Sequence, residues 1–355
     1  AYLTELMRVT VNDGMDVLAG AAISRGPRNT LANPYQAVPI GITVEGANIL
    51  TRNLIIYGQG AIRCHPYVRD EIAAVETRDL ARFDRAFWGH VGLVATNATR
   101  AFLLGLTNGR LALPPMAGPA QHHFGRLSRW SAAFTVLSDV AMGVLGADLK
   151  RKERISARMA DALAWMYLGS ATLKRFVDEG QRPEHEPLVN WALETSEYEI
   201  QSALDGVLRN FPNRFVALKL RAWIFPLGRR QQPPSDRLEA RVARSILDAG
   251  TVREDLTRDI HVPGHDDPGL GRLEAALAKV VAARPVERKI RDAIRGHRLA
   301  RLDGRELLEE AVRAEIITEQ ESARMWDAMQ AREDAIQVDA FDPEVLCRPD
   351  LAETL

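Results

Sequence analysis

Long stretches with a helical spacing of apolar residues are the feature that most limits how this chain can fold. They occupy residues 67–77, 79–107, 119–146, 149–179, 187–210 and 214–224. Shorter, more highly charged helical patterns follow at residues 235–249, 268–282, 286–296, 303–314 and 318–333. We find no strand-like alternation of useful length and no repeat of fixed period. The sequence therefore predicts an all-α protein built from packed layers of helices.

Proline and glycine divide these patterns into segments. We expect helices over 2–22 and 46–64, and a short helix or turn over 35–43 that Pro39 interrupts. Proline-rich breaks fall at 113–115, 181–183 and 231–234. The last break is the best candidate for a linker between subdomains, and the tail from Asp339 is predicted to be extended.

Composition excludes few functions, but it sets some bounds. The 355 residues are 46% hydrophobic and 26% charged, which is ordinary for a globular protein. The net charge of −1 gives no sequence-wide reason to expect a nucleic-acid partner. Two distant cysteines, Cys64 and Cys347, favour a reduced, cytoplasmic setting. No apolar run is expected to span a bilayer, since Asp139 interrupts the longest one, at 136–147.

One carboxylate stands alone in an apolar stretch. Glu45 follows seven uncharged residues, and the next charge is Arg52. Poor solvation disfavours a charged carboxylate, so we expect a raised pKa that would suit Glu45 to act as a base. Gly46 leaves room for a ligand near the backbone, and Asn48 adds a neutral hydrogen-bonding group. The alternative is that Glu45 only caps the helix that follows it.

The residues around Glu45 resemble a known family. The stretch EGANILTR at 45–52 is similar to the E-G-T-N-x-x-x-R signature near the C-terminus of acyl-CoA dehydrogenases. Upstream, NDGMDVLAG at 12–20 resembles the N-D-A-x-Q-I-x-G-G segment of that family. The stretches GITVE at 41–45, IYGQGAIRCHPY at 56–67 and LRAWIFPLGR at 220–229 look like the large bacterial long-chain enzymes of the FadE type.

The resemblance implies a domain organisation. Residues 1–70 would form the end of the acyl-CoA dehydrogenase C-terminal helical domain. Residues 71–230 would form a helical extension, and residues 231–355 a smaller charged helical subdomain and tail. The chain would then be the C-terminal portion of a larger polypeptide whose N-terminal helical domain and β-domain hold most of the flavin.

The resemblance also implies an activity, the FAD-dependent oxidation of long-chain acyl-CoA to trans-2-enoyl-CoA, the first step of fatty-acid β-oxidation. Glu45 matches the base that removes the α-proton, while the β-hydrogen leaves as hydride to FAD. The positions that match flavin contacts are Gly46, Ala47, Asn48, Asp16 and Gly20. Asp16 stands where many members have Gln, and Ala47 stands where many have Thr.

Several partners follow from the same resemblance. These are electron-transfer flavoprotein, a second copy of the chain and, through peripheral contact, the inner face of the cell membrane. A basic patch at 150–158 and the pair Arg229 and Arg230 are candidates for lipid contact, although a solvated face is the simpler interpretation. Two alternatives stay open: a non-catalytic helical scaffold or membrane- or partner-binding module, and a relative that acts on another acyl thioester.

Other pairs of chemically reactive residues have simpler explanations. Cys64 and His65 are adjacent on a predicted helix end and point apart, so a nucleophile–base pair is disfavoured. His122–His123 is predicted to be a surface helix start, and the loop at 261–267 a solvated loop. We therefore predict no metal site.

Overall fold

The computed structural model describes residues 1–44, 46–247 and 250–346, with side chains described as far as residue 344 in the last range. Glu45 and Cys347, both named above, lie outside the described residues. All the regular structure in the described ranges is helical, and no strand occurs among them. The prediction of an all-α fold is therefore confirmed.

The helices follow in chain order. They are α1 (Tyr2–Leu18), α2 (Gly20–Ile23), α3 (Ala32–Ala37), α4 (Ile40–Thr43), α5 (Asn48–Leu50), a π-helix (Thr51–Gln59), α6 (Gly60–Arg63), α7 (Val68–Thr77), α8 (Leu80–Thr107), α9 (Gln121–Leu145), α10 (Glu153–Asp178), α11 (Glu186–Arg209), α12 (Arg214–Ile224), α13 (Asp236–Leu247), α14 (Thr251–Thr257), α15 (Leu270–Arg295), α16 (Gly304–Arg313), α17 (Glu319–Ala335) and α18 (Pro343–Leu346). Two 3-10 helices, Gly146–Lys150 and Pro183–His185, precede α10 and α11.

The chain divides into two compact units. The first unit contains Ala1–Tyr2 and Thr43–Leu247, and the second contains Leu3–Ile42 and Asp248–Leu355. The predicted domain ranges 1–70, 71–230 and 231–355 follow the family resemblance rather than this packing, and they stay a prediction.

The first unit is organised around long packed helices. Helix α8 packs on α9, and α10 packs on both α9 and α11. Asp79 begins α8 by accepting a hydrogen bond from the Arg82 backbone N–H at 3.0 Å, and Asn108 ends it in the left-handed conformation. The core between these helices includes the fully buried side chains Trp130, Leu137, Met159, Ile200 and Leu204.

The second unit has a smaller core. Helices α15, α16 and α17 pack against one another and bury apolar residues that include Val286, Ile290 and Leu308. A capping box begins α17, where Thr318 accepts from the Glu321 backbone N–H and Glu321 accepts from that of Thr318.

Several predicted segments differ from the structure. The predicted helix at 2–22 breaks at Ala19, whose φ of 50° ends α1 before α2 begins. The predicted helix at 46–64 consists of α5, the π-helix and α6. Helix α15 is continuous through Pro285, although the sequence predicted two helices there. Neither α14 nor α18, which lies in the tail predicted to be extended, was anticipated.

The helical stretch Gln121–Lys150 is long and apolar enough to cross a membrane by length and composition. The prediction that no run would reach that length was therefore wrong, because apolar neighbours of Asp139 such as Leu137, Val140 and Met142 keep the average apolar. Part of this stretch is buried within the first unit, including Trp130 and Leu137, and core helices commonly share this composition.

Candidate functional site

The loop that follows Glu45 has a defined backbone. Gly46 has φ +88°, a left-handed value that a side chain would strain, and its carbonyl accepts a hydrogen bond from Thr51 Oγ1 at 3.2 Å. Ala47 is extended, with φ −47° and ψ 145°, and precedes α5 without a side-chain cap. Gly46 and Ala47 thus form a tight turn, and the helix predicted to begin at residue 46 begins only at Asn48.

Asn48 is the most buried of these residues. Its side-chain Nδ2 donates a hydrogen bond to the backbone carbonyl of Ala1, in the same unit, at 3.2 Å. This bond ties the chain start to the loop after Glu45. The amide of Asn48 therefore has a structural contact in addition to any contact with a ligand.

Arg52 anchors the end of the same stretch to α10. Its Nε and Nη2 donate to the two carboxylate oxygens of Asp161, each at 2.5 Å, and Tyr2 Oη donates to Asp161 Oδ1 at 2.7 Å. Burial, and then the hydrogen bond to Asp161 and its negative charge, raise the pKa of Tyr2. Burial and the Asp161 charge also raise the pKa of Glu199. Asp161 thus ties both the chain start and the end of the 46–52 stretch to α10, a link that no local sequence pattern indicates because Tyr2 and Arg52 are distant from Asp161 along the chain.

A cavity of about 760 Å³ lies between α1 and α3 in the second unit. Its lining residues are Asn12, Met15, Asp16, Ala19, Ala22, Ile23, Ala32, Tyr35 and Gln36. Asp16, a predicted flavin-contact residue, is one of them. Gly20 follows at the start of α2, and a Cβ built on it would have no neighbour within 4 Å.

The chemistry of this cavity suits a planar, polar-edged molecule. The half-exposed ring of Tyr35 and four small or branched apolar residues offer flat contact area. Asn12 and Gln36 can donate or accept hydrogen bonds, whereas an ionised Asp16 can only accept. A purine with an exocyclic amino group, or a ribose hydroxyl, would satisfy an acceptor of this kind, while a phosphate beside Asp16 would be repelled.

The predicted site residues therefore fall into two groups. Gly46, Ala47 and Asn48 lie together in the first unit, and Asp16 and Gly20 lie together in the second unit. Glu45 lies outside the described residues, so its predicted role as a base stays a prediction.

Two histidines for which the sequence predicted no functional role have buried side chains. His123 has no exposed surface, and it contacts Glu197 Oε1 at 2.6 Å and Asn190 Oδ1 at 3.1 Å. The predicted helix start is confirmed, because α9 begins at Gln121 and His122 is exposed, but the expected surface position was wrong for His123. His65 lies against Asp139 on α9, whereas its neighbour Cys64 is exposed. A charged residue inside the apolar stretch 136–147 was the available signal that Asp139 has a buried partner.

Two of the basic residues proposed for lipid contact, Arg151 and Arg229, have acidic partners within the protein. Arg151 forms an ion pair with Asp148 at 2.5 Å. Arg229 lies 3.5 Å from the buried carboxylate of Asp205, which also pairs with Arg221 at 2.6 Å and Arg209 at 3.1 Å. Arg221 and Arg229 of the 220–229 segment thus share one buried acidic group with Arg209.

A family model described as "Acyl-CoA dehydrogenase, C-terminal, bacterial type" matches residues 62–341. The match begins after the loop at 46–52 and continues through helices of both units to the residues after α17. No solved structure matches the chain. Because the model covers most of the sequence, the chain belongs to the family of bacterial-type C-terminal domains of acyl-CoA dehydrogenases.

Proposed function

We propose that this protein takes part in the FAD-dependent oxidation of long-chain acyl-CoA to trans-2-enoyl-CoA, the first step of fatty-acid β-oxidation. The family match over residues 62–341 carries the proposal, because that family belongs to acyl-CoA dehydrogenases. The preference for long chains rests on the resemblance to FadE-type enzymes in the stretches 41–45, 56–67 and 220–229.

The cavity between α1 and α3 supports the flavin part of the proposal. Its size, its aromatic wall at Tyr35 and its hydrogen-bonding residues Asn12, Asp16 and Gln36 fit the adenosine end of FAD. When bound, FAD supplies the acceptor for the β-hydrogen of the substrate. The role of Asp16 would be to accept a hydrogen bond from the adenosine, in place of the Gln that many family members have.

Glu45 is the proposed base for the α-proton. Gly46 has a positive φ, and the Arg52–Asp161 pair fixes the π-helix that follows α5 to α10. These contacts would limit the movement of the segment that carries the base. Gly46, Ala47 and Asn48 would contact the flavin.

Further partners belong to the same proposal. None of the residues of α1 is buried, although Leu3, Leu6 and Val9 give it an apolar surface. An exposed apolar helix is a suitable contact for a second copy of the chain or for the domains that complete the flavin site. Electron-transfer flavoprotein would reoxidise the flavin, and the protein would act in the cytoplasm with peripheral contact at the inner face of the cell membrane.

The experiment is a visible absorption spectrum of the natively purified protein, recorded before and after anaerobic addition of palmitoyl-CoA. We expect a flavin band that bleaches on addition. Glu45→Gln should keep the flavin band and lose bleaching, because an amide cannot remove the α-proton.

A second variant, Asp16→Ala, tests flavin binding separately from removal of the α-proton. Asp16→Ala should reduce the flavin content while leaving any bound flavin reducible. Bleaching at the wild-type rate in Glu45→Gln would refute the assignment of the base. Absence of flavin and of bleaching, with the complete polypeptide present, would favour the non-catalytic scaffold.

A further inference from the structure

A cavity of about 470 Å³ lies in the first unit, where the loop after α8 meets the start of α9. Its polar side chains are those of Asn108, Arg110, Gln121, His122 and Arg126. The described residues that line it include no aspartate and no glutamate. We call this cavity the arginine cleft, and nothing in the proposed dehydrogenation uses it.

Two glycines allow the two walls of the arginine cleft to meet. Gly109 follows α8 with φ +84°, and Gly125 lies in the second turn of α9. A Cβ on Gly125 would collide with the carbonyl oxygen of Gly109, and a Cβ on Gly109 would collide with the backbone of Gly125. Because the loop lies directly on the first turns of α9, Arg110 and Arg126 border the same space.

The two arginines of the cleft have donors to spare. Arg126 Nη1 donates to the buried carboxylate of Glu197 at 3.0 Å, and 25% of the Arg126 side chain stays exposed. The Arg110 side chain is exposed and makes no hydrogen bond or ion pair with the described residues. A guanidinium has five N–H donors, so both side chains can donate to a ligand.

Asn108 adds a donor whose orientation is fixed. Its Oδ1 accepts from Arg129 Nη1 at 2.7 Å and from Gln231 Nε2 at 3.0 Å. Since an arginine can only donate, the oxygen of Asn108 must be at this end of the amide. Nδ2 has no partner among the described residues and is not one of the buried unpartnered atoms. The wall of the cleft therefore offers an accessible amide donor.

Positive charge around the cleft exceeds negative charge. Arg129, three residues beyond Arg126, is 1% exposed and has no carboxylate of the described residues within ion-pair distance. Burial, and then the positive charge of Arg230, lower the pKa of Arg129 to about 10, while Glu197 acts against them. Arg129 is thus still charged at pH 7. Arg110, Arg126 and Arg129 together face the single negative charge of Glu197.

The start of α9 adds to this potential. The helix is 25 residues long, its N-cap Ala120 provides no side-chain cap, and no acidic residue lies in its first turn. The positive end of its dipole is therefore uncompensated at the cleft. Desolvation and the positive charges of His123 and Arg126 lower the pKa of His122 to about 4, so His122 is neutral at pH 7. A metal cation would find no acidic ligand in this lining.

We propose that the arginine cleft binds a diphosphate group, either of inorganic pyrophosphate or of a nucleoside diphosphate. Arg110 and Arg126 donate to its oxygens from the loop and from α9, and Asn108 Nδ2 donates a further hydrogen bond. The planar fork of a guanidinium matches the oxygens of a phosphate. The cleft has the volume of roughly fifteen water molecules in the liquid, which leaves room for two linked phosphates.

Calorimetric titration of the full chain with inorganic pyrophosphate and with inorganic phosphate tests the proposal. Pyrophosphate should bind at least about tenfold more tightly, because its second phosphate adds charge-assisted hydrogen bonds. ADP distinguishes the two sources of the diphosphate. Tighter binding of ADP than of pyrophosphate assigns the cleft to a nucleotide, and equal or weaker binding assigns it to pyrophosphate itself.

Two variants and a control locate the binding. Arg110→Gln removes an exposed charge of the cleft, and Gln121→Glu places a carboxylate there with little change of shape. An acidic residue in the first turn of a helix favours folding, so Gln121→Glu should not destabilise the protein. Each variant should weaken pyrophosphate binding at least about tenfold. Arg85→Gln, at an exposed arginine of α8 outside the cleft, should leave it unchanged.

Three outcomes would overturn the proposal. The first is that pyrophosphate does not bind. The second is equal affinity for phosphate and pyrophosphate, which would mean that the cleft holds one anionic group only. The third is binding of pyrophosphate or ADP that Arg110→Gln and Gln121→Glu leave unchanged, or that Arg85→Gln weakens as much as they do. Binding would then occur elsewhere or through unspecific attraction, and a site for the flavin would not be affected by this result.

Discussion

Two acidic networks in the first unit differ from two acidic pairs in the second unit. In the first unit, Glu197 and Asp205 are buried and shared among several partners: Glu197 contacts His123 and Arg126, and Asp205 contacts three arginines. In the second unit, Asp334 and Asp327 form ion pairs while they keep much of their surface in solvent.

This difference has energetic consequences. A buried charge that loses its partner stays in a medium of low polarity, so the loss is large. An exposed charge that loses its partner is solvated by water, so the loss is small. Substitutions of the buried Glu197 and Asp205 should therefore destabilise the protein much more than substitutions of Asp334 and Asp327, and salt should weaken mainly the exposed pairs.

Glu197→Gln should give the largest effect. It removes the charge that balances Arg126 and the acceptor held by His123 at 2.6 Å. We expect a loss of about 3–5 kcal/mol in the free energy of unfolding, which urea denaturation would measure. Hydrogen exchange should show the loss in α9 and α11, and a loss below about 1 kcal/mol would contradict the contrast between the units.

Leu137→Ala tests the apolar core of the same unit. Leu137 is fully buried, and its truncation should lower the free energy of unfolding by about 2–5 kcal/mol through lost burial and the cavity that remains. Val17 on α1 is 84% exposed, so Val17→Ala should change stability by less than about 0.5 kcal/mol. Similar losses for the two variants would mean that α1 is covered in the protein as it exists.

The long helices were predictable because the spacing of their apolar residues and the positions of the prolines between them indicate the same helix boundaries. The break at 113–115 separates α8 from α9, as expected. Pro285 misled the prediction, because Ala283 and Val286 on either side of it are both buried in the core that continues through α15. Packing on both sides of the proline outweighs the roughly 3 kcal/mol that a proline takes from a helix.

The candidate sites were only partly predictable, because their contacts join residues that are distant in sequence. The segment with Asp16 and Gly20 could be found from its motif. Asp161 could not, since its partners Tyr2 and Arg52 are more than a hundred residues away. No local pattern of residues marks a π-helix, so the conformation of Thr51–Gln59 could not be predicted either.

Asp161→Asn probes a partly exposed contact in the first unit and should have an intermediate effect. The amide keeps the shape of the carboxylate but removes the charge that Arg52 and Tyr2 both contact. Because Arg52 is 43% exposed, we expect a loss of only about 1–2 kcal/mol in the free energy of unfolding. A greater loss of palmitoyl-CoA bleaching than of flavin content would show that the pair positions the Glu45 segment.

Asp334→Asn should have the smallest effect of the three charge substitutions, although Asp334 pairs with two arginines in the second unit. Arg28 Nη1 lies 2.9 Å from Oδ1 and Arg272 Nη1 lies 3.1 Å from Oδ2. Partial burial would raise the pKa of Asp334, but the hydrogen bonds from Arg272 and Arg28 outweigh burial and lower it below the ordinary value of 3.8. Since 43% of the side chain is exposed, the substitution should lower the free energy of unfolding by less than about 1 kcal/mol at pH 7.

The dependence of this effect on pH follows from the lowered pKa. A carboxylate whose pKa is lower in the folded state adds stability above the unfolded value of 3.8, and that stability is lost as pH falls through the folded pKa. Urea denaturation of wild type and Asp334→Asn at several pH values should therefore give free energies of unfolding that converge in acid.

High salt should reduce the difference in the free energy of unfolding between wild type and Asp334→Asn at pH 7 as well. The difference between wild type and Glu197→Gln should persist in high salt, because that network is shielded from the solvent. A salt-resistant difference at Asp334 would mean that its two arginines are held in an environment as buried as that of Glu197, and the contrast between the units would then fail.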